Sequence, residues 1–387
     1  MKVLHRYFAG EIVQSVMFVL LAFLALFAFL ELNSESQSIG KGAYQIQHAF
    51  LYVLTGLPAY VYETMPIAAL IGTIYALAQL ASRSEFTIMR ASSMSTWMAG
   101  KILLRIGLIF AIITFVFGEF IAPVATQWGQ QMRMQLLGTG VHQEFRSGLW
   151  TKDTIRAQGL TGPVTGTRFL NVRKPSSDGQ LRDLLMYEFD NQLRLQSLIS
   201  AKRATYKGLN VWRLIDVTET RFDASNAGKQ WTKMDAKAQE MKLVSSHSVK
   251  EKDFVSEITP QLMTVLFASD PDRMSAYDLA LYSSHLEENK QNSQRYEIAF
   301  WKKATYPLAV FVMMALALPF AYLHVRSGGV SLKIFVGIMI GVGFHLANNL
   351  FSTLGMLNTW SAMFTAIAPS ILFFMLSLIA LWWVERR

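Results

Sequence analysis

The residues with most to say about chemistry lie in one polar and basic stretch, Ser82-Arg83-Ser84-Glu85-Phe86-Thr87-Ile88-Met89-Arg90-Ala91-Ser92-Ser93-Met94-Ser95. It is wedged between apolar runs at about 53–80 and 97–122. Ser82 and Glu85 stand three apart, the spacing at which a serine oxygen and a carboxylate satisfy two unpaired N–H groups at a helix start. Phe86 and Met89, one turn apart, share a face. Arg83, Glu85 and Arg90 supply charge on the same short segment. This is the form of a coupling helix, a knob outside the bilayer that a nucleotide-driven partner can grip. A tight loop between two spans, with a helix start in it, accounts for the same residues.

Other constellations are weaker. The Gly-Lys pairs at Gly40, Gly100 and Gly228 lack the upstream glycine and the following hydroxyl of a P-loop. Neither G-x-S-x-G nor H-E-x-x-H occurs. His142-x-Glu144 is the nearest approach to a metal pair, a spacing common by chance, and no metal site is expected. Lys41, Arg133, Lys302 and Lys303, the last two beside Trp301, are basic positions near one membrane face. They suit the phosphates of an anionic amphiphile, or equally snorkel onto ordinary headgroups. Gly337-x-x-x-Gly341 permits close helix approach, either at a seam between subunits or inside one chain. His345 and Asn349 share a helix face at membrane depth, where a helix–helix hydrogen bond is the simpler reading and a proton relay the sharper one.

The elements that must position these residues are membrane spans. Hydrophobic residues make up 52% of the 387 and charged ones only 16%, which excludes an ordinary soluble protein. Six runs approach or exceed the roughly 20 apolar residues that cross a bilayer: about 12–32, 53–80, 97–122, 305–323, 332–354 and 362–384. The first is too long for a signal peptide. Lysines and arginines gather in the N-terminus, the 82–101 segment, the 326–333 loop and the tail, which places both termini in the cytoplasm by the positive-inside rule. The net charge of +9 is explained by these membrane-surface residues and a basic central domain, without nucleic acid. Cysteine is absent, so disulfides and thiolate sites are excluded.

Between about 141 and 265 the pattern changes to short alternating runs such as Leu185-Met186-Tyr187-Glu188-Phe189, punctuated by Ser177-Asp178-Gly179, Asp190-Asn191, Lys207-Gly208 and Asn226-Ala227-Gly228. Such spacing predicts an antiparallel sandwich or jelly roll on the far side of the membrane. A polar helix then opens at Ser275-x-x-Asp278. The expected domains are 1–140 with three spans and the 82–95 coupling helix, 141–265 all-β, and 266–387 with a connecting helix and three spans. The fold class is an α-helical integral membrane protein with an inserted jellyroll-like domain.

The chain resembles the LptF/LptG family of lipopolysaccharide export permeases, on its LptG branch. The resemblance runs through Arg83-Ser84-Glu85 with Met89 and Ala91-Ser92, and through Gly118-Glu119-Phe120-Ile121-Ala122-Pro123. It continues in Gly148-Leu149-Trp150-Thr151-Lys152-Asp153 and in Arg295-Tyr296, Trp301 and Pro307. It implies a non-catalytic subunit in the bacterial inner membrane, paired with the sister permease LptF on a dimer of the ATPase LptB. That ATPase would hold ATP and Mg, and this chain no cofactor. Lipopolysaccharide would enter a cavity between the permeases and leave through LptC and the LptA periplasmic bridge. Glu85 would be the coupling carboxylate with Arg83, Phe86, Met89 and Arg90 beside it, and Arg133 would face substrate phosphates. Family members often carry several lysines near the outer end of the first span. Here Glu31-Leu32-Asn33-Ser34-Glu35 stands there and only Lys41 is near. Two other classes stay open: a membrane-anchored periplasmic enzyme with its site in the β domain, and a lone secondary transporter.

Overall fold

The computed structural model describes residues 2–83, 85, 96–137, 148–175, 180–222, 244–267, 270–322, 330–358 and 360–386. They form two compact units. The first comprises Met1–Leu137, Asp270–Ser284 and Asn292–Arg387, and the second Gly138–Ser269 and His285–Gln291.

The first unit is a helical bundle built around α2 (Ile46–Ser82), which packs against α1 (Lys2–Glu35), α3 (Thr96–Val116), α4 (Ala122–Leu137), and further on α7 (Gln294–Ala317) and α9 (Val330–Asn358). Most of the length of α2 from Val61 to Leu80 is buried, including Leu70, Ile74 and Leu77. By contrast α1, α3, α9 and α10 (Ala362–Glu385) leave large apolar side chains bare, among them Phe18, Phe29, Leu104, Leu346 and Ile379. A stripe of that size is stable only against hydrocarbon or another protein. The close fit of α1 on α2 depends on Gly72: a methyl group there would lie 2.5 Å from Val16 Cα. Gly72→Ala is therefore expected to destabilise the bundle by about 1–3 kcal/mol through overpacking, read as a lower thermal midpoint in detergent.

Among the described residues, five helices are long and apolar enough to cross a membrane: Arg6–Ser38, Ile46–Ser82, Met98–Leu137, Val330–Asn358 and Ala362–Val384. The stretch at 305–323 is not among them. Helix α7 begins with a polar third (Gln294, Arg295, Glu297, Lys302, Lys303), and the chain restarts as the short α8 (Pro319–Tyr322). The third span runs on through a π-helical turn, Phe117–Ile121, into α4. Pro123 lacks the N–H that would bond the Glu119 carbonyl, and a wider turn relieves that mismatch.

The second unit holds β1 (Leu149–Gln158), β2 (Thr161–Pro175), β3 (Leu181–Asp190), β4 (Leu195–Gly208), β5 (Val211–Phe222) and β6 (Val244–Val255). The expected two-layer sandwich with jelly-roll connections is not what the described strands form. They make one antiparallel meander in the order β1-β2-β3-β4-β5-β6, each strand bonded to its sequence neighbours. Short hairpins explain this: Leu209 and Asn210 both have positive φ between paired Gly208 and Val211, and Asp190 Oδ1 accepts from the N–H of Gln192 and Arg194. The pairing skips Asp183, Lys202 and Asp216 in successive strands, with Asp183 and Asp216 at positive φ. This row creases the sheet and shifts its parity. Trp212 and Leu214 before the crease and Val217 after it are all buried. Trp212 donates from Nε1 to the Ile258 carbonyl at 2.7 Å. The Ser177 and Asn226 turns lie outside the described residues.

Helix α5 (Pro260–Phe267) follows, then a 3₁₀ turn at Pro271–Arg273 and α6 (Ala276–Glu288). The expected start of α6 is observed: Asp278 N–H donates to Ser275 Oγ at 3.0 Å, and Ser275 Oγ donates to Asp278 Oδ2 at 2.8 Å.

Candidate functional site

At the end of the bundle where α2 finishes, Glu85 Oε2 accepts a hydrogen bond from Tyr7 Oη at 2.9 Å, and its other oxygen lies 4.0 Å from the Arg83 guanidinium. Ser82 is the last residue of α2, and its hydroxyl donates back to the Gln79 carbonyl at 2.8 Å; the helix expected to start there falls mostly outside the described residues. Glu85 is thus tied to the start of α1. Phe86, Met89 and Arg90 lie outside the described residues.

At the opposite end of the α1–α2 pair, about 40 Å along α1, charge is organised around Glu35. Arg133 donates from Nε to Glu35 Oε2 at 3.1 Å and from Nη2 to Ser38 Oγ at 3.3 Å, with Tyr44 Oη also donating to Glu35. The guanidinium stands 5.6 Å from the Tyr52 ring centroid. Arg133 therefore already has a carboxylate partner, which an incoming phosphate would have to displace. Lys41 is exposed on the turn between α1 and α2. Ala43 N–H anchors that turn to the Leu136 carbonyl at the end of α4, so Lys41 and Arg133 are carried by touching elements.

Residues Trp301, Lys302 and Lys303 diverge because successive helical positions point about 100° apart. Lys303 is buried, donates to the Met274 carbonyl and sits 5.5 Å from the Tyr62 ring centroid. The expectation that it meets substrate is corrected: it is an internal tie. Lys302 pairs with Asp272 at 3.6 Å and lines a cleft with Arg295, Asn349, Ser352 and Thr353. Trp301 is half-buried, edge-on to Phe300. The seam expected at Gly337 and Gly341 is also corrected. Both glycines are buried against α2, where added methyl groups would come within 2.7 Å of Ile74 and 2.8 Å of Ile67. The close approach they permit is within the chain. His345 and Asn349 bond each other along α9 at 3.2 Å rather than bridging two helices.

Glu119 and Glu63 have surroundings that no local sequence pattern announces. Glu119, on the π turn, accepts from the N–H of Ala276 at 2.8 Å and of Tyr277 at 3.3 Å. With Ser275 on Asp278, the first three N–H groups of α6 are all satisfied. The relevant signal was an acidic residue four before a proline, but its partner lies 157 positions away. Glu63 faces a small cavity lined also by Glu31, Tyr52, Thr55, Tyr60, Thr126 and Arg273.

In the β unit a charged cluster gathers on Arg168, which donates to Asp153 Oδ2, from both Nε and Nη2 to Glu188 Oε1, and to the Val255 carbonyl. Ser256 donates to the same Asp153 oxygen and Ser197 to Glu188 Oε2, while Asp153 Oδ1 has no hydrogen-bond partner among the described residues. Burial pushes the Asp153 carboxyl above its usual range, opposed by the Arg168 guanidinium and the Ser256 hydroxyl. Burial lowers the His285 imidazole, opposed by the charges of Asp153 and Glu257. Lys152 and Thr154 hold Asn289 at 2.7 and 2.8 Å. This arrangement stabilises a fold; among the described residues it presents no nucleophile with a positioned base.

The family described as lipopolysaccharide export system permease LptF/LptG matches residues 6–383. The lipopolysaccharide export system permease protein LptG of Haemophilus influenzae is 28% identical over 385 residues, covering 99% of this chain and 98% of that protein. The LptG protein of Escherichia coli K12 is 28% identical over 386 residues, covering 100% and 98%. With a match that spans nearly every residue of both units, the chain belongs to the LptF/LptG family of lipopolysaccharide export system permeases.

Proposed function

We propose that this chain is the LptG-type subunit of an ATP-driven exporter. With the sister permease LptF it would sit on an LptB dimer, extract lipopolysaccharide from the outer leaflet of the inner membrane, and pass it by way of LptC to the LptA bridge. ATP and Mg belong to LptB, and this chain is not itself an enzyme. The reading includes six spans, with α7 and α8 as the fourth, cytoplasmic termini and a periplasmic β unit.

The observation that carries the mechanism is the α1–α2 pair. Helix α2 is the bundle's buried axis: it ends at Ser82, three residues before Glu85, while Tyr52, Tyr60 and Glu63 in its other half line a cavity. A well-packed interior transmits displacement instead of absorbing it. A push delivered at Arg83, Glu85, Phe86, Met89 and Arg90 therefore moves the outer end, where Lys41 and Arg133 would hold phosphate by charge-assisted bonds. A membrane-anchored enzyme is not favoured by a full-length match to a permease family.

Purification of the tagged chain in mild detergent tests the assembly: a nucleotide-binding subunit and a second permease are expected to copurify in stoichiometric amounts. Recovery of the chain alone from native membranes would count against it. Because the chain has no cysteine, single substitutions report orientation cleanly. Lys41→Cys should react with an impermeant maleimide added outside spheroplasts, and Arg83→Cys only after lysis; the reverse pattern would overturn the topology.

A further inference from the structure

Two buried threonine hydroxyls of the bundle, on Thr73 and Thr126, have no hydrogen-bond partner among the described residues, and that of Thr126 borders a cavity. Thr55, Thr64 and Thr114, also buried in helices of the bundle, each donate to a carbonyl three or four residues back. Thr126 is 7% exposed, and its Oγ1 has no hydrogen-bond partner among the described residues. It lines the cavity between α1, α2 and α4 that Glu31, Tyr52, Thr55, Tyr60, Glu63 and Arg273 also border. A buried hydroxyl without a partner costs free energy unless something fills the space beside it.

The lining specifies what that something is. Two carboxylates, Glu31 and Glu63, face one guanidinium, Arg273, so the walls carry one negative charge in excess. Glu31 Oε2 accepts from Tyr60 Oη at 2.8 Å, and Arg273 leans towards Asp270 at 3.7 Å. The Glu63 carboxylate has no ion pair or hydrogen bond among the described residues. Tyr52 and Tyr60 border the same space, and their ring faces favour cations. The room left is about that of one water-sized group, which is also the size of an ammonium. Glu31 and Glu35 stand at this end of the first span.

We propose that this cavity is a subsite for a small cation, and specifically for the primary ammonium of an amine-bearing lipopolysaccharide headgroup. The ammonium would donate to Glu63, Glu31 and Thr126, with Arg273 at the edge to take the adjoining phosphate. The proposal rests on the permease reading above and names the substrate class that reading leaves open.

The test uses the full chain in phosphatidylcholine nanodiscs, titrated with lipid A carrying a phosphoethanolamine group and with lipid A bearing only bare phosphates. The wild type should prefer the amine-bearing lipid by about tenfold, as expected for charged hydrogen bonds. Glu63→Gln should abolish that preference without weakening the bare lipid, and Thr126→Val should reduce it, while Thr126→Ser retains it. Equal binding of the two lipids by the wild type, or a preference unchanged in Glu63→Gln, overturns the subsite and leaves the permease reading standing. Protection by MgCl2 or NaCl alone, without discrimination between the lipids, makes an inorganic ion the occupant and overturns the ammonium assignment. Binding of neither lipid overturns the subsite, while the permease reading, which has this chain act with a second permease, stands or falls by the copurification above.

Discussion

Glu85→Ala should leave a folded, membrane-inserted protein that no longer moves lipopolysaccharide when ATP is hydrolysed. The side chain stands partly in solvent, and its contacts are a hydrogen bond from Tyr7 and a long approach to Arg83. Exposed charged contacts contribute little to stability, so elution volume and thermal midpoint should match the wild type. If a partner ATPase grips this carboxylate, its loss removes at least one charge-assisted contact, and ATP-dependent release from proteoliposomes should fall at least ~10-fold. Two companion variants separate the causes. Tyr7→Phe removes only the intrachain bond and should transport nearly normally, whereas Glu85→Gln keeps the shape, loses the charge and should behave like the alanine variant. Unimpaired release by Glu85→Ala would sink the coupling assignment, and failure of Tyr7→Phe alone would relocate the effect to the joint between α1 and α2.

The parts of this architecture legible in the sequence are those set by local patterns. Long apolar runs mark α1, α2, α3, α9 and α10 because hydrocarbon tolerates little else over 30 Å. Ser275 and Asp278 announce α6 because a cap is made within one turn. The turns at Asp190 and Gly208 are marked by residues that tolerate them. What was hidden depends on pairs far apart in the chain. Arg133 reads as a free cation until Glu35, 98 positions away, is placed beside it. Lys302 and Lys303 look equivalent, yet one faces a cleft and the other is buried on a backbone carbonyl. The crease at Asp183, Lys202 and Asp216 left no glycine to betray it, since aspartate also visits positive φ. Likewise Gly337 and Gly341 say only that something approaches closely; the identity of the neighbour, α2, belongs to the tertiary fold.

The largest effect on stability should come from Arg168→Met in the β unit. Its guanidinium is nearly enclosed, 3.2 Å from the fully buried Asp153 and 2.8 Å from Glu188, and it stacks 5.0 Å from the Phe254 ring centroid. A buried ion pair adds little net stability as a unit, because desolvation offsets attraction, but removing one member strands the other. The expected loss is about 3–5 kcal/mol, visible as earlier unfolding and faster proteolysis of the β unit in the full-length protein. Arg168→Lys keeps the charge but not the fork that reaches Glu188 and the Val255 carbonyl together, and should fall in between. The pH dependence gives an independent readout. Burial already raises the Asp153 carboxyl, and Arg168 is the opposing charge. Without that arginine the folded state holds a proton on Asp153 still more readily than the unfolded chain does. Stability then rises as pH falls, so acidification should narrow the gap between Arg168→Met and the wild type. His285 acts in the other sense: its lowered imidazole favours the fold above its ordinary range and less below it. That contribution is present in both proteins and largely drops out of the difference. Asp153→Asn on the Arg168→Met background removes the stranded charge and should recover part of the loss at neutral pH. A single variant with the wild-type unfolding midpoint, or a gap that widens on acidification, would show that Arg168 does not hold the creased sheet together.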